Sequence, residues 1–274
     1  MLRLAMCGIL AAVLAFPAAV GAQPSGRVVQ MAMTTDGPRT LDPARGSTTY
    51  DNQGCVQSYE TLLQVSYYDN QKFEPLLLAE LPTRLEDGKR YRFRLKDGVR
   101  FHDDPCFPDG KGREIRSDDV FYSWKRLADP ENQMKNWWLL DGAIVGLHAP
   151  AEGEAFDYDA PVEGFVKVSD KEFEVELTRP VFRFLWVLTM FQTSIVPREA
   201  VEHYGDEFAR HPVGTGPFLL DEWVPKQRLT FKRNPNYHEC YYPDADKWNA
   251  EDTEQGLAKA AGKRLPIPPA LIHI

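Results

Sequence analysis

The stretch Arg90-Tyr91-Arg92-Phe93-Arg94-Leu95 decides the fold, because bulky apolar side chains alternate in it with arginines. Successive side chains of a strand point to opposite faces of a sheet, so the stretch predicts a strand with one dry and one solvated face. Lys96-Asp97-Gly98 predicts a turn, and residues 99–101 predict a returning strand. A β-hairpin is therefore expected at residues 90–101.

Helical spacing of apolar residues occurs on both sides of this hairpin. Upstream, residues 50–65 show that spacing and predict an amphipathic helix. Downstream, Ser117 is expected to cap a helix over residues 120–127. Trp124 falls on the apolar face of the second helix, which predicts core packing for it.

Alternation and turn residues predict regular structure later in the chain as well. The predicted elements are two strand pairs, 166–168 with 173–177 and 218–220 with 229–232, and two helices, 182–190 and 197–205. Residues 149–163 and 211–217 predict irregular segments. The sequence ends on a predicted strand, 270–274. A strand without neighbours leaves its edges unpaired, so an aggregation tendency is expected there.

The first residues predict export. An apolar run follows the single early charge, Arg3, and ends in the small residues Val20-Gly21-Ala22. This pattern is typical of a secretory signal peptide over residues 1–22, with cleavage after Ala22 and a periplasmic destination. The chain carries 32 basic and 40 acidic side chains, and a formal net charge of −8 disfavours nucleic acid as a partner.

The cysteines leave one question open. Removal of residues 1–22 discards Cys7 and leaves Cys55, Cys106 and Cys240. Three thiols in an oxidising compartment permit one disulfide, and their positions do not choose the pair. Their spacing is also far from any zinc pattern.

The sequence gives little support for a catalytic site. His102 lies beside Asp103 and Asp104, but no third ligand stands at a useful spacing for a metal or a general-base site. The sequence contains neither a nucleophile elbow nor a phosphate-binding Gly-Lys-Ser or Gly-Lys-Thr loop. We therefore expect neither an enzyme nor a cofactor; the alternative of a different class is a secreted hydrolase.

Two motif pairs carry a family resemblance. They are Leu95-Lys96-Asp97-Gly98-Val99-Arg100-Phe101-His102-Asp103 with Ser117-Asp118-Asp119-Val120, and Pro212-Val213-Gly214-Thr215-Gly216-Pro217-Phe218 with Arg233-Asn234-Pro235-Asn236-Tyr237. Together they resemble the family 5 extracellular solute-binding proteins, the oligopeptide- and dipeptide-binding receptors of ABC importers. The resemblance runs in the same order from about Val28 to Tyr237.

The resemblance implies a fold and partners. The fold is α/β, periplasmic-binding-protein-like of class II, with a mixed sheet and packed helices. Residues 27–45 and 164–274 would form a discontinuous first-lobe domain, and residues 46–163 an inserted subdomain. The ligand would be a peptide, and the partners would be the permease and ATPase subunits of the importer, with the receptor itself a monomer. Other cargoes of this fold, namely an oligosaccharide, a nickel chelate or haem, are the alternative.

The chain departs from the family in two ways. It inserts residues 104–112, where a shorter turn is usual, and Cys106 in that insertion is a candidate to pair with Cys55 or Cys240. Members of the family are also considerably longer, so we expect the second lobe to be absent. With one wall of the cleft missing, the chain alone is expected to bind peptides weakly or not at all.

The resemblance places candidate ligand-binding residues in two segments. One contains Asp36, Arg39, Tyr50, Asp51 and Asn52, which would lie near the cleft between lobes; Arg39 would meet a carboxylate or stay solvated. The other is Gly214-Thr215-Gly216, because glycines let a peptide backbone approach. A purely structural role in the turn before a strand is the alternative. Four aromatic side chains are further candidates for pocket lining: Tyr122, Trp124, Trp137 and Trp138; of these, Trp124 is expected in the core because of its helical spacing.

Overall fold

A computed structural model describes residues 28–32, 37–85, 88–133, 135–181 and 183–273. The predicted signal peptide and Asp36 lie outside these ranges. In the described part, no helix combines the length and the apolar character that a membrane crossing needs.

Ten strands and five α-helices make up the regular structure of the described residues. In chain order the strands are β1 Val29–Met31, β2 Leu63–Val65, β3 Phe73–Pro75, β4 Thr83–Arg84, β5 Arg90–Arg94, β6 Phe165–Lys167, β7 Glu172–Glu176, β8 Phe218–Val224, β9 Arg228–Arg233 and β10 Ala270–His273. The α-helices are α1 Thr49–Ser58, α2 Ser117–Ala128, α3 Phe184–Val187, α4 Arg198–Tyr204 and α5 Ala250–Glu254. Short 3-10 turns cover 130–132, 137–139, 191–193, 205–210, 245–247 and 257–260.

The predicted strand at residues 90–95 is confirmed. Tyr91 and Phe93 of β5 are buried, whereas the arginines between them are exposed. The Phe93 ring stacks on Phe173 of β7 at 4.9 Å between ring centres. The dry face of this strand therefore forms part of the main core of the molecule.

The predicted partner of that strand is wrong. β5 pairs antiparallel with β4 and β7, in a four-stranded sheet of order β4-β5-β7-β6. Residues 99–101 form no strand, because their backbone pairs with the far side of the 104–112 insertion: Phe101 N–H donates to Arg113 at 3.0 Å, and Ile115 N–H donates to Val99 at 3.0 Å. The insertion is thus closed at its base by residues 99–101 and 113–115.

The predicted helix over residues 50–65 is only partly correct. Helix α1 ends at Ser58, Tyr59 is already extended, and residues 63–65 form β2. Beyond Tyr59 the backbone bonds to other segments, since Leu62 O accepts from Leu76 N–H at 3.0 Å. The helical spacing of apolar residues over 50–65 thus combines residues of helix α1 with residues of the extended chain and strand β2 that follow it.

Helix α2 begins earlier than predicted and without the predicted cap. Ser117 is its first residue and donates its hydroxyl to Ser169 O at 2.9 Å. The free amide of Arg116 donates instead to Asp119, at 2.7 Å. Trp124 is fully buried, as predicted.

Most of the later predictions hold. The hairpins β6–β7 and β8–β9, the helix from Pro197 to Gly205 and the irregular segments 149–163 and 211–217 are confirmed. The predicted helix over 182–190 is limited to α3. The domain division at residue 164 remains a prediction, although β6 and β7, on one side of it, share a sheet with β4 and β5 on the other.

The prediction of an unpaired terminal strand is wrong. β10 lies inside a sheet of order β1-β10-β9-β8, parallel to β1 and antiparallel to β9. Leu271 packs with Leu41, Phe218, Leu229 and Phe231 in a second, smaller core. Because both long sides of β10 are paired, the reason for expecting aggregation at this strand disappears.

A buried ion pair ties the segment before α1 to helix α2. Arg126 donates to both carboxylate oxygens of Asp42, at 2.9 and 2.7 Å, and each side chain is 3% exposed. Two buried charges of opposite sign satisfy each other, but either one alone is strongly destabilising.

We therefore expect Asp42→Asn to lower the free energy of unfolding by about 3–5 kcal/mol, because it leaves the Arg126 cation unpaired in the interior. Urea unfolding followed by fluorescence measures this loss. Asp221→Asn is the matched control, since Asp221 and Lys232 form an exposed pair at 3.4 Å. A loss at position 42 no larger than that of the control would contradict the expectation.

Candidate functional site

A cleft of about 590 Å³ opens beside the carboxyl end of α1. Its walls come from α1 with the residues that follow it, from β2, from the segment 189–194, and from the single residues Tyr67, Leu76, Pro217 and Tyr237. A second cavity of about 340 Å³ adjoins it. The two share five lining residues: Gln64, Tyr67, Leu76, Pro217 and Tyr237.

Glu60 forms the floor of the cleft and is 4% exposed. Its carboxylate accepts hydrogen bonds from Tyr237 Oη at 2.7 Å and from Thr215 Oγ1 at 2.8 Å. His238 Nε2 lies 3.0 Å from both carboxylate oxygens. A buried carboxylate needs such partners, because its desolvation is costly. Glu60 thereby connects the chain after α1 to two distant segments.

Tyr237 acts as a hydrogen-bond donor in this network. Burial, and after it the negative charge of Glu60, raises the pKa of Tyr237 well above its usual range. The phenol therefore keeps its proton. Its ring contributes to the walls of both cavities while its hydroxyl points to Glu60.

The glycines of residues 214–216 pack against the end of α1. A Cβ on Gly214 would lie 2.1 Å from Ser58 O, and one on Gly216 would lie 2.5 Å from the Ser58 carbonyl carbon. Gly216 N–H also donates to Ser58 O at 2.9 Å. These contacts support the structural interpretation of the two glycines, and backbone pairing with a ligand stays a prediction.

His102 holds the same loop from its other side. Its backbone N–H donates to Gly214 O at 2.8 Å, and its ring Nε2 lies 2.9 Å from Gly216 O. Gly214 N–H donates to Nδ1 at 3.4 Å, which leaves Nε2 as the protonated nitrogen. Burial lowers the pKa of His102 from 6.5 to about 4. The ring is thus neutral near pH 7, and both of its nitrogens bond to the loop. The described residues contain no group of three or more histidine, cysteine or acidic side chains suited to a metal ion.

The segment 39–52 contributes one predicted residue to the cleft wall, Asn52, which is exposed. Asp51, in the first turn of α1, is buried and accepts the backbone amides of the N-cap residue Thr48 at 2.9 Å and of the more distant Arg39 at 2.8 Å. Burial opposes its charge, yet these amides outweigh burial and lower the pKa of Asp51. Arg39 is exposed and Tyr50 is half-buried, and neither lines the cleft.

The structure brings together residues that the sequence interpretation missed, namely Glu60, Gln192 and His238, besides Tyr237. The sequence does not indicate a role for Glu60 in the site, because the apolar spacing over residues 50–65 predicts a single helix there. Tyr237 stood in a motif of the family resemblance, but nothing in that motif pointed to a contact with Glu60. Of the aromatic candidates, Trp137 is buried, Trp138 is exposed, and Tyr122 lines a different, charged cavity.

None of the disulfides that the three cysteines would permit is formed, because Cys55, Cys106 and Cys240 are all free thiols. Cys55 is buried in the main core, whereas Cys240 lines the second cavity. Burial, followed by the carboxylate of Asp104, raises the pKa of Cys106 to about 12. The insertion is therefore held by hydrogen bonds, such as Tyr204 Oη to Asp104 at 2.8 Å.

The neutral state of His102 predicts a pH dependence of stability. The unfolded chain takes up a proton at this histidine as the pH falls through about 6.5, whereas the folded chain does so only near pH 4. The contribution of neutral His102 to the free energy of unfolding is therefore complete above pH 6.5. It is lost as the pH falls towards 4, and the total loss is up to about 3 kcal/mol.

Urea unfolding of the wild type and of His102→Gln at pH 7.5, 6 and 5 measures this effect. Glutamine keeps an amide donor and does not titrate, so we expect the free energy of unfolding of the variant to fall less over this range. Parallel pH profiles for the two proteins would show that His102 is not the titrating group.

The comparisons with known proteins agree with this architecture. The family model described as Bacterial extracellular solute-binding proteins, family 5 Middle, matches residues 72–260. The chain is 27% identical over 208 residues to the probable deoxycholate-binding periplasmic protein YgiS of Escherichia coli, over 75% of this chain and 36% of that protein. It is 27% identical over 231 residues to Di/tripeptide-binding protein 2 of Pseudomonas aeruginosa, over 80% of this chain and 40% of that protein.

Solved structures show the same fold. The ABC transporter-associated periplasmic binding protein DppA of Helicobacter pylori, in complex with the peptide STSA, superposes with a TM-score of 0.63 at 25% identity, over 77% of this chain and 40% of that one. The chain thus spans roughly two-fifths of the length of these relatives. The predicted α/β fold of the class II periplasmic binding proteins is confirmed, and the chain belongs to family 5 of the bacterial extracellular solute-binding proteins.

Proposed function

We propose that this chain captures peptides in the periplasm as the solute-binding component of an ABC importer. The observation that carries the proposal is the cleft above Glu60, which combines polar side chains with an adjoining apolar cavity. Ligand sites typically unite an apolar surface with a few placed polar groups. The printed names of the relatives, which include a di/tripeptide-binding protein and a complex with a peptide, support the same cargo.

The side chain of Gln192 supplies a specific ligand contact in this proposal. It lines the cleft and is 8% exposed, and its Oε1 has no hydrogen-bond partner among the described residues. A buried acceptor without a partner costs about 1–3 kcal/mol. An N–H group of a bound peptide backbone removes that cost once the side-chain amide turns its Oε1 from the interior into the cleft, and peptide backbones offer such a donor at every residue except proline.

Transport adds partners to the proposal. The closed, loaded receptor would hand its peptide to a membrane permease, and the ATPase subunits of the importer would supply the energy. A ligand stabilises a closed state only through contacts that the open state lacks.

We also infer that residues 1–22 are a signal peptide, removed after Ala22 on export. The periplasmic destination stated in the name of the Escherichia coli relative supports this inference. Expression in a Gram-negative host followed by mass spectrometry of the periplasmic fraction is expected to give a chain that begins at Gln23. A chain that keeps Met1 in the membrane fraction would contradict the cleavage.

Ligand-observed NMR with a mixed tripeptide library tests the function, because it detects dissociation constants in the millimolar range. We expect peptide signals to respond to the protein, whereas oligosaccharides, haem, a nickel–histidine chelate and deoxycholate give no response. A response to one of these without any peptide binding would overturn the peptide proposal. Release of hydrolysed peptide would support an enzyme instead.

Gln192→Met tests the contact that we assign to Gln192. We expect peptide affinity to fall about 3- to 10-fold, because one hydrogen bond to the ligand is lost. The free energy of unfolding of the ligand-free protein should not fall, since the variant removes an unpaired buried acceptor. Gln255→Met is the matched control at an exposed position outside the cleft, and an equal loss of affinity in both variants would contradict the assignment.

A further inference from the structure

The second cavity, of about 340 Å³, is apolar almost throughout. Its lining includes four tyrosines and four prolines, contributed mainly by residues 240–243 and 265–268. We call it the tyrosine–proline box. It joins the cleft above Glu60 through their five shared residues, so one ligand can occupy both spaces.

The box presents almost no charge to a ligand. Glu74 is the one ionised side chain among its lining residues. Its carboxylate already accepts a hydrogen bond from Gln64 Nε2 at 3.1 Å. What remains exposed to the cavity is mainly tyrosine rings, proline rings and aliphatic side chains, which favour an apolar occupant.

Backbone hydrogen bonds hold the walls of the box in place. Leu265 N–H donates to Cys240 O at 2.8 Å, and Tyr242 N–H donates to Lys263 O at 2.8 Å. Two arginine side chains add to these bonds: Arg264 Nη2 donates to Tyr237 O at 3.0 Å, and Arg233 Nε donates to Pro268 O at 3.2 Å. The segments 240–243 and 265–268 are therefore fixed to each other and to the floor of the cleft. A preformed cavity binds without the entropic cost of ordering its walls.

The mouth of the box keeps large apolar side chains in contact with solvent. Tyr67 is 62% exposed, Tyr241 is 54% exposed and Ile267 is 41% exposed. Clusters of this kind mark ligand grooves and interaction sites. The volume corresponds to roughly eleven water molecules of ~30 Å³ each, which is room for one large side chain.

We propose that the tyrosine–proline box receives a bulky apolar or aromatic side chain of the captured peptide, while the peptide backbone lies over Gln192 in the adjoining cleft. The receptor then selects peptides by one apolar side chain. This inference rests on the proposed function for the identity of the ligand. The apolar character of the box itself follows from the residues that line it.

Two probes separate the inference from the proposed function. The first is N-acetyl-phenylalaninamide, compared with N-acetyl-alaninamide, in ligand-observed NMR with the whole chain. The second is a set of tripeptides in which each alanine of Ala-Ala-Ala is replaced in turn by phenylalanine or by aspartate. We expect phenylalanine at one position to tighten binding about tenfold or more, and aspartate there to give no gain.

Ile267→Asp places a charge in the box and is expected to abolish the gain from phenylalanine in both probes. Leu257→Asp is the matched control, because Leu257 is 40% exposed and lines neither cavity. The gain should survive in that variant. A phenylalanine gain that is absent in the wild type, or that Ile267→Asp leaves intact, overturns the inference.

Two further outcomes distinguish the inference from the proposed function and from dimerisation. If no tripeptide binds, while N-acetyl-phenylalaninamide binds in a manner lost in Ile267→Asp, the apolar box stands and the peptide function falls. If sedimentation shows a dimer that Ile267→Asp dissociates, the box is covered by a second copy of the chain, and the inference is overturned.

Discussion

The carbonyl of Ser58 is the point on which the arrangement of the cleft depends. It accepts the N–H of Gly216 where a longer helix would supply an amide from its own next turn, and α1 ends at this residue. Only glycine lets the loop come this close, since a Cβ on Gly214 would lie 2.1 Å from the same oxygen. The chain therefore leaves the helix at Tyr59 and enters the cleft floor at Glu60.

A second consequence follows from the burial of Glu60. A carboxylate removed from water requires hydrogen bonds of its own, and those come from residues far away in sequence, Thr215, Tyr237 and His238. The network fixes the ring of Tyr237 between the polar cleft and the tyrosine–proline box. Glu60 thus determines how the cleft and the tyrosine–proline box adjoin.

Histidines 102 and 238 show how position decides the role of a side chain. His102 looked like a candidate for chemistry beside two aspartates, but its ring is bonded to Gly216 O and its pKa is lowered to about 4 by burial. His238 had no distinguishing neighbours in the sequence, yet it contacts both oxygens of Glu60. The neighbours of a histidine in the sequence therefore do not predict its hydrogen-bond partner, which depends on how distant segments pack.

The sequence by itself determined the features that depend on local periodicity and turn chemistry. These were the alternating strand at residues 90–94, both later hairpins, the burial of Trp124, and the helix between Pro197 and Gly205. Its motifs were also sufficient to identify the family, because the order of several short patterns along a chain is far more specific than any one of them.

Tertiary structure alone decided the pairings between distant segments. It placed β7 beside β5, put β10 inside a sheet, kept the three cysteines as free thiols, and assembled Glu60 with Tyr237. Apolar spacing reports that a residue is buried, but not which segment buries it. The candidate site is made of such long-range contacts, and for that reason, among the predicted residues that the structure describes, only Asn52 and Thr215 line the cleft or touch its floor.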